Sequence, residues 1–118
     1  MIGRLYSTVI DCPEPRLLAE FYSAITGWPV TDEEPDWVDL TSPDGARLSF
    51  QLAPDLLPPR WPDPQYPQQV HLDIDVDDID VAQEQVLALG ARPLPGGGDK
   101  FRVYADPAGH PFCLVWHY

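Results

Sequence analysis

With 118 residues, 44% of them hydrophobic, the chain is one domain's worth of material that can bury a core without disulfide staples, and a large multidomain assembly is excluded. Seven Lys and Arg against 19 Asp and Glu give a formal charge of −12, so the basic footprint that nucleic acid requires is missing and anionic membrane surfaces are disfavoured as partners. Two cysteines, Cys12 and Cys113, have no CxxC spacing; together with the lack of a signal-peptide pattern or of roughly 18 continuous apolar residues, they point to reduced thiols and a cytoplasmic setting.

In chain order, residues 7–12 alternate like a strand and end at Glu14 and Pro15, an acidic N-cap candidate followed by proline at the first helical position. Leu18, Phe21, Tyr22 and Ile25 then recur at helical spacing until Gly27, which suits a left-handed C-terminal stop. A short strand is expected near residues 28–30. Trp37 to Thr41 and Arg47 to Gln51 form a hairpin around the turn Ser42-Pro43-Asp44-Gly45. Residues 54–67 hold six of the fifteen prolines and read as an extended linker, on which Trp61 and Tyr66 serve first as packing anchors.

After the linker the pattern starts again. Residues 71–76 alternate, Asp77 and Asp78 suit a helix N-terminus with Asp80 in the first turn, and Ile79, Ala82, Val86 and Leu89 make one helical stripe ending at Gly90. A short strand near residues 92–94 precedes a second hairpin, residues 101–105 and 111–117, around Asp106-Pro107-Ala108-Gly109, where His110 belongs to the turn. An offset of 64 residues lays the second half over the first, Ser7 over His71, Ser42 over Asp106 and Ser49 over Cys113. The expected organisation is a single α+β domain of two βαβββ modules, one about 1–53 and one about 68–118, joined by the 54–67 linker.

Strand parity sorts the side chains by face. One parity is apolar: Thr8 and Ile10, Leu48 and Phe50, Leu72, Ile74 and Val76, Phe112, Leu114 and Trp116. The other collects Ser7, Val9 and Asp11; Arg47, Ser49 and Gln51; His71, Asp73 and Asp75; Cys113, Val115 and His117. That polar face is more populated with chemistry than solubility requires, and it is the candidate ligand surface, with Trp37, Trp61 and Tyr66 bordering it as aromatic faces for stacking or cation–π contact.

The segments VHLDIDVDDID, LALGARP and VYADPAGHPFCLVW, set in paired βαβββ modules, resemble the vicinal oxygen chelate superfamily, which contains glyoxalase I, bleomycin-resistance and extradiol-dioxygenase proteins. The resemblance implies a curved mixed sheet around a concave cleft with the helices outside, and a homodimer. It also implies that metal-using members would place their ligands at Ser7, Ser49, His71 and Cys113. Only His71 is of a type the family uses there. Neutral serine hydroxyls are weak donors for the ions concerned, and a third ligand beside His71 and Cys113 would have to come from Gln51, Asp11 or Asp73.

The expectation is therefore a small-molecule-binding protein of the bleomycin-resistance type that takes a polar or cationic organic ligand without cofactor or metal. Its ligand-binding set is Ser7, Asp11, Trp37, Arg47, Ser49, Gln51, His71, Asp73 and Cys113. The alternative is a divalent-metal-dependent lyase, isomerase or dioxygenase. No catalytic residue is assigned; His71, assisted by Asp73 or Asp11, is the best candidate for a general base.

Overall fold

The computed structural model describes all residues from Met1 to Tyr118. Its elements run β1 (Thr8–Cys12), α1 (Pro15–Thr26), β2 (Val30–Glu34), β3 (Trp37–Thr41), β4 (Arg47–Leu52), β5 (Leu72–Asp75), α2 (Ile79–Ala88), β6 (Arg92–Gly98), β7 (Phe101–Ala105) and β8 (Pro111–Val115). The chain divides into two units, Met1–Leu56 and Leu57–Tyr118, each with one βαβββ sequence of elements.

Each unit builds its own four-stranded sheet, in the order β1-β4-β3-β2 and β5-β8-β7-β6. The first and last strands pair in parallel, which the intervening helix makes possible, and the remaining pairs are antiparallel hairpin neighbours. The registers repeat at the sequence offset: Val9 faces Ser49 in the first unit as Asp73 faces Cys113 in the second.

In the first unit, α1 lies on the sheet through Leu18, Phe21 and Tyr22, all buried. Tyr22 stacks on Phe50 with centroids 5.8 Å apart, and Phe21 meets Tyr22 edge-on at 5.0 Å. In the second unit Tyr104 stacks on Phe112 at 5.6 Å, and the Tyr104 hydroxyl donates to Gln83 Oε1 of α2 at 2.6 Å. Burying each such ring contributes about 1.5–3 kcal/mol. The apolar parity of the inner strands is thus the helix-facing side, with Leu48, Phe50, Phe112 and Leu114 all buried.

Helix boundaries follow their caps. The Asp78 carboxylate accepts from the Asp80 and Val81 amides, whereas Glu14 makes no side-chain cap and α1 starts on Pro15 alone. Gly27 closes α1 at φ 75°, and Gly90 follows α2 at φ 108°. Leu89, expected on the buried stripe of α2, is instead exposed, because the helix has already ended at Ala88.

Two strands differ from the expectation. The second strand begins at Val30 rather than spanning residues 28–30, since Trp28 is held in the helix exit: its amide donates to Thr26 Oγ1 at 3.1 Å and its carbonyl accepts from Ser23 Oγ at 2.8 Å. β6 runs on through the Gly96-Gly97-Gly98 run, with a register shift between Leu94 and Gly98.

Both Pro-containing turns form, each tied differently. Ser42 Oγ accepts the Ala46 amide at 2.9 Å, while Asp106 accepts the Ala108 and His110 amides at 2.9 and 3.0 Å. Linker residue Trp61 anchors through its indole N–H to the Pro95 carbonyl at 2.7 Å, over Gly96, where a Cβ would come within 3.1 Å of the indole nitrogen. Tyr66 closes on the linker itself, its ring 4.2 Å below the Arg60 guanidinium.

Candidate functional site

In the first unit the residues singled out by parity resolve into three local arrangements. Ser7, just ahead of β1, places its Oγ 2.5 Å from Ser49 Oγ of β4. Ser49 in turn donates to Asp39 Oδ1 of β3 at 2.5 Å, and the Trp37 indole N–H donates to that same oxygen at 2.7 Å. Asp39 was not among the expected site residues. It is the β3 residue paired with Ser49, and it shares a face with Trp37 two positions before it, so extending the parity argument to β3 would have found it.

Ser49 is completely buried and Asp39 is only 8% exposed, so the central strands are covered on the polar-parity side as well. Val9, Asp11 and Gln51 on that parity are exposed, with Asp11 opposite Gln51 in the parallel register. Arg47 sits apart from the Ser7–Asp39 chain: its guanidinium lies 4.0 Å from the Tyr6 ring centroid and its Nε donates to Thr41 Oγ1 at 3.4 Å.

In the second unit His71, Asp73 and Cys113 come together. Their candidate donor atoms lie within 4.8 Å of one another, with His71 Nε2 at 3.2 Å from Asp73 Oδ1. The sequence placed His71 and Asp73 two residues apart on one strand face, and the β5–β8 register puts Asp73 directly opposite Cys113. Burial, together with the Asp73 carboxylate as negative neighbour and hydrogen-bond acceptor, pushes the Cys113 thiol up to about 11. At the end of β5, Asp75 Oδ1 is 2.8 Å from Nδ1 of His117, which lies two residues past β8, on the surface.

Of the four positions at which metal-using members of the resembled superfamily place ligands, the two in the first unit are neutral hydroxyls that fit a divalent ion poorly. Ser7 and Ser49 are bonded to each other, and Ser49 is also committed to Asp39. His71, Asp73 and Cys113 bring an imidazole, a carboxylate and a sulfur together, and an ion bound there would have to displace the proton of a thiol that burial and Asp73 hold high.

A glyoxalase-like domain family matches residues 7–115, and the chain belongs to that family, within the vicinal oxygen chelate superfamily. Solved structures agree on the fold. A glyoxalase/bleomycin resistance protein/dioxygenase family enzyme from Burkholderia phytofirmans PsJN is 15% identical with a TM-score of 0.75, covering 97% of this chain and 98% of its own. A glyoxalase-related enzyme from Fulvimarina pelagi is 18% identical with a TM-score of 0.70, covering 98% and 89%. The bleomycin-binding protein of bleomycin-producing Streptomyces verticillus, solved with copper(II)-bleomycin, is 15% identical with a TM-score of 0.60, covering all of both chains. No curated protein matches the chain. No helix is long and apolar enough to cross a membrane.

Proposed function

We propose that this glyoxalase-like protein binds a small cationic or polar organic molecule without a resident metal. The observation that carries the reading is the 2.5 Å contact between Ser7 and Ser49, which ties together two neutral hydroxyls at the pair of positions a family metal would need from the first module. Asp11 on β1 and Asp73 and Asp75 on β5 are exposed carboxylates on the polar strand faces, and a chain of net charge −12 attracts cations and repels anions at long range. Structural similarity to a protein solved with copper(II)-bleomycin supports ligand binding as the class of function.

A calorimetric or fluorescence screen tests this: cationic glycopeptides and planar amines against anionic thiol conjugates and keto acids. The cations bind, weaken with added salt because the Debye length falls to about 8 Å at physiological ionic strength, and weaken again in Asp73→Asn. Binding of the anions alone, or cation affinity unchanged in Asp73→Asn, defeats the proposal.

One observation favours a second reading. His71, Asp73 and Cys113 offer imidazole, carboxylate and sulfur within one small cluster, the donor types of a metal-dependent lyase, isomerase or dioxygenase. Elemental analysis of protein purified without chelator separates the two. Near-equimolar Zn, Ni, Mn or Fe that survives gel filtration, and is lost in His71→Ala, puts the metal reading first.

A further inference from the structure

The chain Trp37–Asp39–Ser49–Ser7 has a direction, and the direction follows from which groups can only donate. An indole N–H has no lone pair to offer, so its 2.7 Å contact marks Asp39 Oδ1 as an acceptor. Ser49 meets the same oxygen at 2.5 Å and donates its single hydroxyl proton there. The second 2.5 Å contact, between Ser49 Oγ and Ser7 Oγ, also needs a proton between its oxygens, and Ser49 has none left. Ser7 must supply it. The Thr8 carbonyl, 3.4 Å from Ser7 Oγ, is the poorer acceptor, and donating to it would leave two hydroxyl oxygens lone pair to lone pair at 2.5 Å.

We infer that this buried chain fixes the half-buried Ser7 hydroxyl as a pure hydrogen-bond acceptor toward solvent, making Ser7 a specificity-determining contact that takes N–H donors such as amidinium or ammonium groups and refuses carboxylates. An isolated serine both donates and accepts, and so discriminates neither. Here the proton points inward and lone pairs point out, on the side of β1 shared by exposed Val9 and Asp11. The carboxylate that sets the direction is the buried Asp39, which itself contacts no ligand. It acts as a positioning residue through Ser49. This inference rests on the binding reading proposed above and narrows the ligand class from charge to hydrogen-bond donors.

Two probes of matched shape and opposite polarity, benzamidinium and benzoate, test it by NMR titration of labelled protein. In the wild type the Ser49 hydroxyl proton is protected from exchange and shows contacts to the Trp37 indole proton, and the Ser7 hydroxyl proton shows contacts to Ser49. Benzamidinium shifts the Ser7–Val9 amides and benzoate does not. Ser7→Ala, at the accessible end of the chain, weakens benzamidinium about tenfold, the size of one hydrogen bond to a charged group. Ser49→Ala frees the Ser7 proton, so benzoate gains and the preference between the probes shrinks while benzamidinium still binds. A Ser7 proton found pointing to Thr8 or to solvent overturns the inference, as does a preference that survives both substitutions, and either result leaves binding of cations standing. If neither probe binds the wild type, the binding reading falls and this inference with it. The hydroxyl-proton measurement needs no substitution, so a variant that fails to fold does not rescue the inference.

Discussion

The two modules hold the same cross-strand triplet with its polar and apolar ends exchanged. Across β1, β4 and β3 the facing residues are Val9, Ser49 and Asp39; across β5, β8 and β7 they are Asp73, Cys113 and Val103. In the first module the carboxylate stands on β3, an inner strand, where it is buried and must be satisfied by the Trp37 indole and Ser49. In the second it stands on β5, an edge strand, with 57% of its side chain exposed beside His71. The exchange of one carboxylate between an inner and an edge strand makes one module a closed hydrogen-bond chain and the other an open group of donors. Burial, not residue type, decides which.

The largest expected effect comes from breaking the closed module. Asp39→Ala leaves the fully buried Ser49 hydroxyl and the Trp37 indole without their acceptor, and urea denaturation should show a loss of about 2–3 kcal/mol. Asp73→Ala, its counterpart on the edge strand, is expected to change stability by no more than about 0.5 kcal/mol. Equal costs would erase the contrast between inner and edge strands.

The open module is next, through its thiol. Burial and the neighbouring Asp73 carboxylate push the Cys113 thiol up from an ordinary value of 9.0 to about 11 in the fold, so the unfolded chain loses that proton first. The contribution to stability is therefore complete below the lower value and disappears as pH rises through the upper one. Rates of Cys113 alkylation followed by mass spectrometry should rise with a midpoint near 11, and Asp73→Asn, which removes both the negative neighbour and the charged acceptor, should lower that midpoint. A midpoint at the ordinary thiol value would mean that neither burial nor Asp73 governs the cluster.

A smaller difference separates the two helix starts. Asp78 caps α2 with two amide bonds, while the equivalent Glu14 makes none, so Asp78→Ala should cost about 1 kcal/mol and Glu14→Ala close to nothing in thermal unfolding. Similar shifts for the two substitutions would show that the helix starts are held by something other than their caps.

Much of this was written along the chain. The 64-residue repeat, the Pro15 and Asp78 helix starts, the Gly27 and Gly90 stops and the Ser42 and Asp106 turns are local signals, each dictated by the backbone geometry of a few adjacent residues. The meeting of His71 and Asp73 was legible for the same reason, since alternate residues of a strand share a face. The glycine run hid the length of β6, because glycine has no side chain whose alternation could announce a strand. Parity assigned Ser49 and Cys113 to a polar face but could not tell that both are buried, since alternation says which side a residue faces and not what covers that side.

By itself, then, the sequence determined the modules, their order and the chemistry available on each strand. Only the tertiary structure decided that Asp39 lies inside and Asp73 at an edge, that Cys113 is buried opposite Asp73 with its thiol made less acidic, and that the proton of Ser7 points inward. Each of these depends on which strand lies beside which and how deeply, and strand order is set by contacts between residues dozens of positions apart. A carboxylate's solvation, a thiol's acidity and a hydroxyl's direction are properties of that neighbourhood, so no local pattern of residues carries them.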